Sequence, residues 1–109
     1  MRIVAEPIAT GELELLAQEI GGFFIKVVVD LEKEILAAGA KMHVEEEEIL
    51  IKDGSNKESL WGGGYNLDDK IVTFDSIINN KPRVNPSLEI LDKATREKLE
   101  KITRYLLNV

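Results

Sequence analysis

The sequence predicts a small α+β domain in which a mostly antiparallel sheet is covered by two helices. Short runs rich in β-branched residues alternate with turn residues, while two longer segments repeat their apolar residues at helical spacing. The length of 109 residues is that of one ordinary domain, so residues 1–109 are expected to share a single core. The predicted order of elements is β-α-β-β-β-β-α, which is typical of α+β folds.

The first two elements are predicted to be a strand and a helix. Residues 2–5 form the strand, and Pro7 ends it because proline lacks a backbone donor. The helix follows Thr10, a suitable N-cap residue, and its apolar positions recur at helical spacing. Gly21 and Gly22 are expected to end this helix.

Residues 24–38 are predicted to form a β-hairpin. The β-branched run 24–31 is its first arm, 32–33 is the turn and 34–38 is the second arm. A helix over 29–38 is the alternative, because the apolar residues there also fit a helical period. Periodicity alone does not distinguish the two structures.

The second half of the chain is predicted to contain two strands separated by a long loop. Residues 41–52 are expected to end in a strand, because the pair Asp53-Gly54 that follows is a strong turn signal. Residues 55–67 include three consecutive glycines and show no regular pattern, so they are predicted to be the longest loop. A long strand is predicted over 71–78.

A helix is predicted to begin at Pro86 and to continue to the C-terminus. Its apolar face consists of Leu91, Thr95, Leu99, Ile102 and Leu106. We expect this face to pack on the sheet. The basic residues of the helix follow acidic residues four positions earlier, as Lys101 follows Glu97, so a solvated surface is favoured over a nucleic-acid interface.

Composition and charge exclude several classes of function. A net charge of -6 disfavours non-specific binding to nucleic acid. The lack of cysteine excludes disulfides, thiolate zinc sites and a cysteine nucleophile. No apolar run approaches the roughly 20 residues that cross a membrane, and the N-terminus lacks the pattern of a signal peptide. We therefore expect a cytoplasmic protein with no membrane partner.

A possible polar site begins at His43, Glu45 and Glu47. On a strand, these alternating side chains share one face, which is spacing that a divalent metal site uses. A solvated face that ends in four glutamates is the alternative. Asp75 and Asn79 share one face of the next predicted strand, and the two faces meet if the strands are neighbours. The expected cluster is either a hydrogen-bonded network or a metal site.

Trp61 is a further candidate for binding, because it precedes the three glycines of the predicted loop. Large aromatic side chains on loops often contact partners. The alternative, which we favour, is that Trp61 fills the end of the core, since the chain has few aromatic residues. No nucleotide-binding glycine pattern and no nucleophile-elbow motif is present, so no residue is assigned as catalytic.

Five short phrases occur in a recognisable order: Val-Val-Asp-Leu-Glu-Lys (28–33), Met-His-Val-Glu (42–45), Ile-Leu-Ile-Lys-Asp-Gly-Ser (49–55), Leu-Trp-Gly (60–62) and Phe-Asp-Ser-Ile-Ile-Asn (74–79). Together they resemble an uncharacterised family of bacterial and archaeal proteins of similar length, known as a domain of unknown function. The resemblance implies that the recurring motif positions are His43, Glu45, Asp53, Gly54, Ser55, Trp61, Gly62, Asp75, Ser76 and Asn79. It implies no activity, and the chain departs from the pattern at 63–66 and 81–85.

Our leading functional hypothesis is a non-enzymatic binding or interaction module that forms a homo-oligomer and needs no cofactor. Polar motifs are present, but no catalytic set is assembled in the sequence. The alternative is a metal-dependent hydrolase that uses His43, Glu45 and Glu47 together with Asp75. Convergence of these side chains in a concave pocket would distinguish the two hypotheses.

Overall fold

The computed structural model describes all 109 residues and contains five strands and three α-helices. In chain order the elements are β1 Arg2–Val4, α1 Glu12–Glu19, β2 Phe24–Asp30, β3 Ile35–Ala38, α2 His43–Lys52, β4 Leu60–Asn66, β5 Ile71–Thr73 and α3 Lys93–Leu107. All strand pairs are antiparallel, and the order across the sheet is β1-β3-β2-β4-β5. The predicted α+β class is confirmed, with three helices instead of two.

The hairpin prediction for residues 24–38 is confirmed, and the alternative helix over 29–38 is wrong. The side chain of Asp30, at the end of β2, closes the turn. Its Oδ1 accepts hydrogen bonds from the backbone N–H groups of Glu32 and Lys33, at 2.9 and 3.0 Å. Its Oδ2 accepts a hydrogen bond from Ser55 Oγ at 2.6 Å. The buried aspartate thus fixes the hairpin and ties it to the segment after α2.

The strand predicted within residues 41–52 is wrong, because His43–Lys52 form helix α2. Glutamate favours helices and is depleted in strands, and acidic side chains stabilise the N-terminal turn. Glu45 Oε1 accepts a hydrogen bond from the backbone N–H of Met42 at 3.1 Å, which caps that turn. Gly54, with a φ of 106°, follows the last turn and lets the chain leave the helix.

The loop predicted over 55–67 is also wrong, because β4 lies in the sheet between β2 and β5. Its three glycines allow close packing. A Cβ atom on Gly62 would lie 2.5 Å from the Cβ of Ser76. A Cβ on Gly63 would overlap the carbonyl oxygen of Thr73, and one on Gly64 would overlap the ring of Phe24. Contacts made by other segments therefore create a strand that glycine does not favour by itself.

Helices cover both faces of the sheet. On one face α1 and α3 bury the larger core cluster, which includes Leu16, Val27, Leu99, Ile102 and Leu106. On the other face α2 buries a smaller cluster made of Val28, Ala37, Leu50 and Leu60. None of the three helices combines the length and apolar character needed to cross a bilayer.

The long strand predicted over 71–78 ends at Thr73. Beyond it the chain pairs with a later segment, because Ile90 N–H donates to Phe74 O and Ser76 N–H donates to Leu88 O, both at 3.0 Å. This pairing keeps residues 86–92 out of the last helix. We describe the connection between β5 and α3 below as the 74–92 segment.

Helix α3 begins at Lys93, later than the predicted start at Pro86. Asp92 is its N-cap, and its Oδ2 accepts a hydrogen bond from Thr95 N–H at 2.9 Å. Leu91 therefore precedes the helix. The prediction that Leu91 packs on the sheet is wrong, since this residue is 62% exposed. The predicted burial of Leu99 is confirmed.

Candidate functional site

Several polar side chains converge on the backbone of β4 at Gly62 and Gly63. Asn79 Oδ1 accepts a hydrogen bond from Gly62 N–H at 2.8 Å, and Asn79 Nδ2 donates to Gly62 O at 2.9 Å. Strand β5 pairs with β4 only from Gly64 to Asn66. The side-chain amide of Asn79 therefore continues the sheet edge where no strand is present, in the way that a peptide group would.

Asn79 is fully buried, and both the oxygen and the nitrogen of its side-chain amide form hydrogen bonds. Its Nδ2 also lies 3.2 Å from the carbonyl oxygens of Phe74 and Leu88. A second buried amide, on Asn85, donates to Asn79 O at 3.0 Å and holds the same segment. We conclude that Asn79, a predicted site residue, shapes the 74–92 segment through hydrogen bonds to backbone groups.

His43, the first residue of α2, is held by the same strand. Its Nε2 lies 2.7 Å from Gly63 O. A carbonyl oxygen only accepts hydrogen bonds, so Nε2 donates, and Nδ1 carries no proton in the neutral ring. Burial lowers the pKa of His43, and the positive charge of Lys26 lowers it further, while the bond to Gly63 and the charge of Asp75 act in the opposite direction. The neutral ring thus presents Nδ1 as an acceptor.

A cleft of about 290 Å³ adjoins His43, between the start of α2 and the 74–92 segment. Its lining residues are Lys26, Met42, His43, Val44, Asp75, Ser76, Ile77 and Leu88. Met42, Ile77 and Leu88 are large apolar residues that are each more than half exposed. The lining of the cleft therefore combines charged and polar residues with apolar side chains that lie in water.

Two opposite charges in this cleft are not paired with each other. Lys26 Nζ donates a hydrogen bond to Lys41 O at 2.9 Å. Asp75 is exposed, and neither Lys26 nor Asp75 takes part in an ion pair. The structure thus brings together His43 and Asp75, two of the predicted site residues, with a lysine that the sequence did not single out.

Glu45 and Glu47 do not complete a cluster with His43. Residues two apart point to different sides of a helix, so the face-sharing argument for a metal site rested on a strand that does not exist. Glu45 caps the N-terminus of α2, and the charge of Glu47 acts on Lys81, whose pKa is lowered by burial. No group of three or more histidine, aspartate or glutamate side chains is placed to hold a metal ion.

Trp61 belongs to the core, as the favoured alternative predicts. It is 8% exposed and packs in the larger cluster beneath α3. Lys81 Nζ lies 4.9 Å from the centre of its ring, a cation–π contact. Trp61 also lines two surface cavities of about 500 and 520 Å³. Val84 and Leu91, both largely exposed, line the second cavity.

Glu46 is a notable residue that sequence reasoning missed, since the four glutamates were interpreted as one solvated face. It is completely buried. Its Oε2 accepts a hydrogen bond from Ala40 N–H at 3.1 Å, whereas its Oε1 has no partner. Burial raises its pKa to about 9. The sequence feature that indicates its burial is the spacing of four residues to Leu50. If the segment is a helix, this spacing places Glu46 and the apolar Leu50 on one face.

A family model described as a protein of unknown function (DUF5674) matches residues 2–106. This confirms the resemblance found in the sequence. Comparisons with curated proteins and with solved structures gave no match. No relative therefore names an activity, and the hydrolase alternative receives no support from these comparisons.

Proposed function

The chain belongs to the DUF5674 family of proteins of unknown function, and we propose that it is a non-enzymatic binding module whose cleft beside His43 takes a small ligand. One observation carries the proposal. The imidazole is fixed by Gly63 O, which leaves Nδ1 as an acceptor, and His43 lines a cleft together with three exposed apolar side chains. Such a combination of apolar lining and few oriented polar groups is typical of ligand sites.

The same geometry favours binding over catalysis. A nucleophilic mechanism needs a nucleophile within hydrogen-bond reach of a base. Ser76 carries the only hydroxyl group in the cleft, and its Oγ accepts a hydrogen bond from Ile78 N–H at 3.3 Å. No hydrogen bond joins Ser76 to His43. The imidazole is therefore better suited to recognise a donor group than to activate this serine.

The proposal is testable by NMR, because the chain has one histidine and two methionines. Met42 lies in the cleft, whereas Met1 lines a different cavity and serves as an internal control. We expect members of a set of small amines, carboxylates and amino acids to shift the His43 ring and Met42 methyl signals and to leave Met1 unchanged. If no compound shifts Met42 selectively, the proposed function is wrong.

We also propose that the protein is cytoplasmic and binds its ligand without a metal cofactor. The absence of cysteine supports the first statement, and the different hydrogen-bond partners of Glu45 and His43 support the second. Added zinc or manganese should leave the melting temperature unchanged. A rise that is lost in His43→Ala would show that a metal binds there.

Self-association is the second part of the proposal. The surface around Trp61, formed by Val84, Leu91, Thr95 and Lys98, exposes apolar side chains above a buried indole. Homodimers are the most common oligomers of soluble proteins, and exposed apolar patches often mark their interfaces. We propose that this surface, called the Trp61 face below, pairs two copies of the chain.

A further inference from the structure

We infer that the ligand of the His43 cleft is a small zwitterion with an apolar body, such as an amino acid with an apolar side chain. This inference rests on the proposed function and specifies its ligand. It follows from three properties of the cleft: the opposite charges of two lining residues, the acceptor on His43 and the exposed apolar residues of the lining.

The charges are the first property. Lys26 and Asp75 line one cleft and form no ion pair with each other. Lys26 donates one hydrogen bond to Lys41 O, which leaves two ammonium hydrogens for a ligand. Glu46 is the acidic group whose charge would compete for Lys26, but burial raises its pKa to about 9 and keeps it neutral at pH 7. A ligand carboxylate is thus the missing partner of Lys26.

The acceptors are the second property. The carboxylate oxygens of Asp75 and the unprotonated Nδ1 of His43 both accept hydrogen bonds. A group that satisfies both must carry several N–H bonds, and a positive charge favours its contact with Asp75. A primary ammonium group has these properties. The two charged residues of the lining therefore complement the two charges of a zwitterion.

The apolar residues and the size of the cleft are the third property. Met42, Ile77 and Leu88 are 56%, 68% and 53% exposed, so a ligand that covers them removes apolar surface from water. The volume of about 290 Å³ lies just below the range of roughly 300 to 1,000 Å³ for ligand pockets. A cleft of this volume favours a ligand of the size of one amino acid over a nucleotide or a longer peptide.

The test compares two zwitterions with compounds that lack one or both charges. The two zwitterions are L-leucine, whose charges lie close together, and 6-aminohexanoate, whose charges lie far apart. The analogue 4-methylpentanoate keeps only the carboxylate, isoamylamine keeps only the ammonium group, and isoamyl alcohol has neither. Titrations are followed by the Met42 and His43 signals, with Met1 as control. We expect one zwitterion to bind with a Kd at least tenfold lower than both singly charged analogues.

Two variants test which side chain binds which charged group of the ligand. Asp75→Asn should remove the tenfold advantage of the zwitterion over 4-methylpentanoate, and Lys26→Met should remove its advantage over isoamylamine. Ile71→Ala, an exposed change on β5 outside the cleft, is the control and should alter neither ratio. Equal affinity for the alcohol and the zwitterions would overturn the zwitterion inference and leave the binding function intact. If no compound shifts Met42, both proposals fail.

Discussion

Glu46 carries a carboxyl group that the fold shields completely from water, although its three neighbours on α2 are glutamates with access to solvent. The positive charges of Lys26 and the N-terminus favour its ionised form, and so does the hydrogen bond from Ala40. Burial outweighs these effects, and the pKa rises to about 9. At neutral pH the group is therefore a neutral acid inside the fold.

This burial makes stability depend on pH. The unfolded chain releases the proton of Glu46 near its ordinary pKa of 4.5, while the folded chain retains it up to about 9. Folding stability is thus largest below pH 4.5 for this group and falls as the pH rises through that window, by up to about 1.4 kcal/mol per pH unit. In Glu46→Gln, which does not ionise, we expect a flatter dependence in urea unfolding at several pH values between these limits. Parallel curves for the two proteins would contradict the buried neutral acid.

His43 and Asp75 were identifiable from the sequence as polar residues in distinctive phrases, but Lys26 and Leu88 were not. Lys26 lies on β2 and Leu88 in the 74–92 segment, and only the tertiary fold brings them to the start of α2. The tautomer of His43 was equally hidden, because it depends on the carbonyl of Gly63, a residue assigned to a loop. The tertiary fold thus decides which residues line this cleft, and the sequence alone does not show them.

Among the elements, β4 shows most clearly how tertiary contacts override local preference. Gly62 packs against the side chain of Ser76 and exchanges two hydrogen bonds with Asn79, so the 74–92 segment lies directly on the strand. Glycine lowers strand stability when considered alone. The close approach of a neighbouring segment accounts for its presence here.

Gly62→Ala tests this account. The added Cβ would lie 2.5 Å from the Cβ of Ser76, so we expect a loss of about 1 to 3 kcal/mol in unfolding free energy. Gly22→Ala is the matched control, because its nearest neighbour would be Phe24 N at 3.7 Å, an ordinary contact. The double variant Gly62→Ala with Ser76→Gly should recover part of the loss. A neutral Gly62→Ala would show that the 74–92 segment moves away freely.

The elements with strong local signals were predicted correctly, and those that depend on distant contacts were not. Helix α1, the β2–β3 hairpin and most of α3 show apolar periodicity or β-branched runs next to turn or capping residues. The N-cap predicted at Thr10 is wrong, because Gly11 precedes α1 and no side chain caps the helix. Helix α2 was mistaken for a strand because the alternation around His43 outweighed the helix preference of four glutamates. Strand β4 has no local signal, since glycine supplies neither periodicity nor side chains.

Helix α3 provides a second stability test at this scale. Leu99 is completely buried between the helix and the sheet, so Leu99→Ala should cost about 2 to 5 kcal/mol of unfolding free energy. Leu15→Ala is the matched control, because this leucine of α1 is 61% exposed and lies outside the Trp61 face. Chemical denaturation measures both. A loss below about 0.5 kcal/mol for Leu99→Ala, the size of a surface change, would mean that α3 does not hold the core.

Charge is unevenly divided over the whole molecule. Residues 1–80 carry 7 basic and 16 acidic side chains, a net -9, while residues 81–109 carry 7 basic and 4 acidic ones, a net +3. The two regions meet at the Trp61 face, where Glu32 and Glu58 lie across a cavity from Lys98. In a two-fold symmetric dimer, the same patch faces its copy. Negative and positive side chains are therefore both present to form ion pairs between two Trp61 faces.

Self-association through the Trp61 face is the prediction that follows at this scale. We expect sedimentation velocity to show a wild-type dimer at micromolar concentration and a monomer for Leu91→Asp or Val84→Asp. Each of these changes places a charge in the apolar part of the proposed interface, where it would lose its hydration without gaining a partner. Both positions are exposed in the single chain, so folding should be almost unaffected, which circular dichroism can verify.

Phe23→Asp is the matched control, because Phe23 is 57% exposed and precedes β2, outside the Trp61 face. A monomeric wild type would rule out the dimer, and a dimer that persists in both variants would place the interface on another surface.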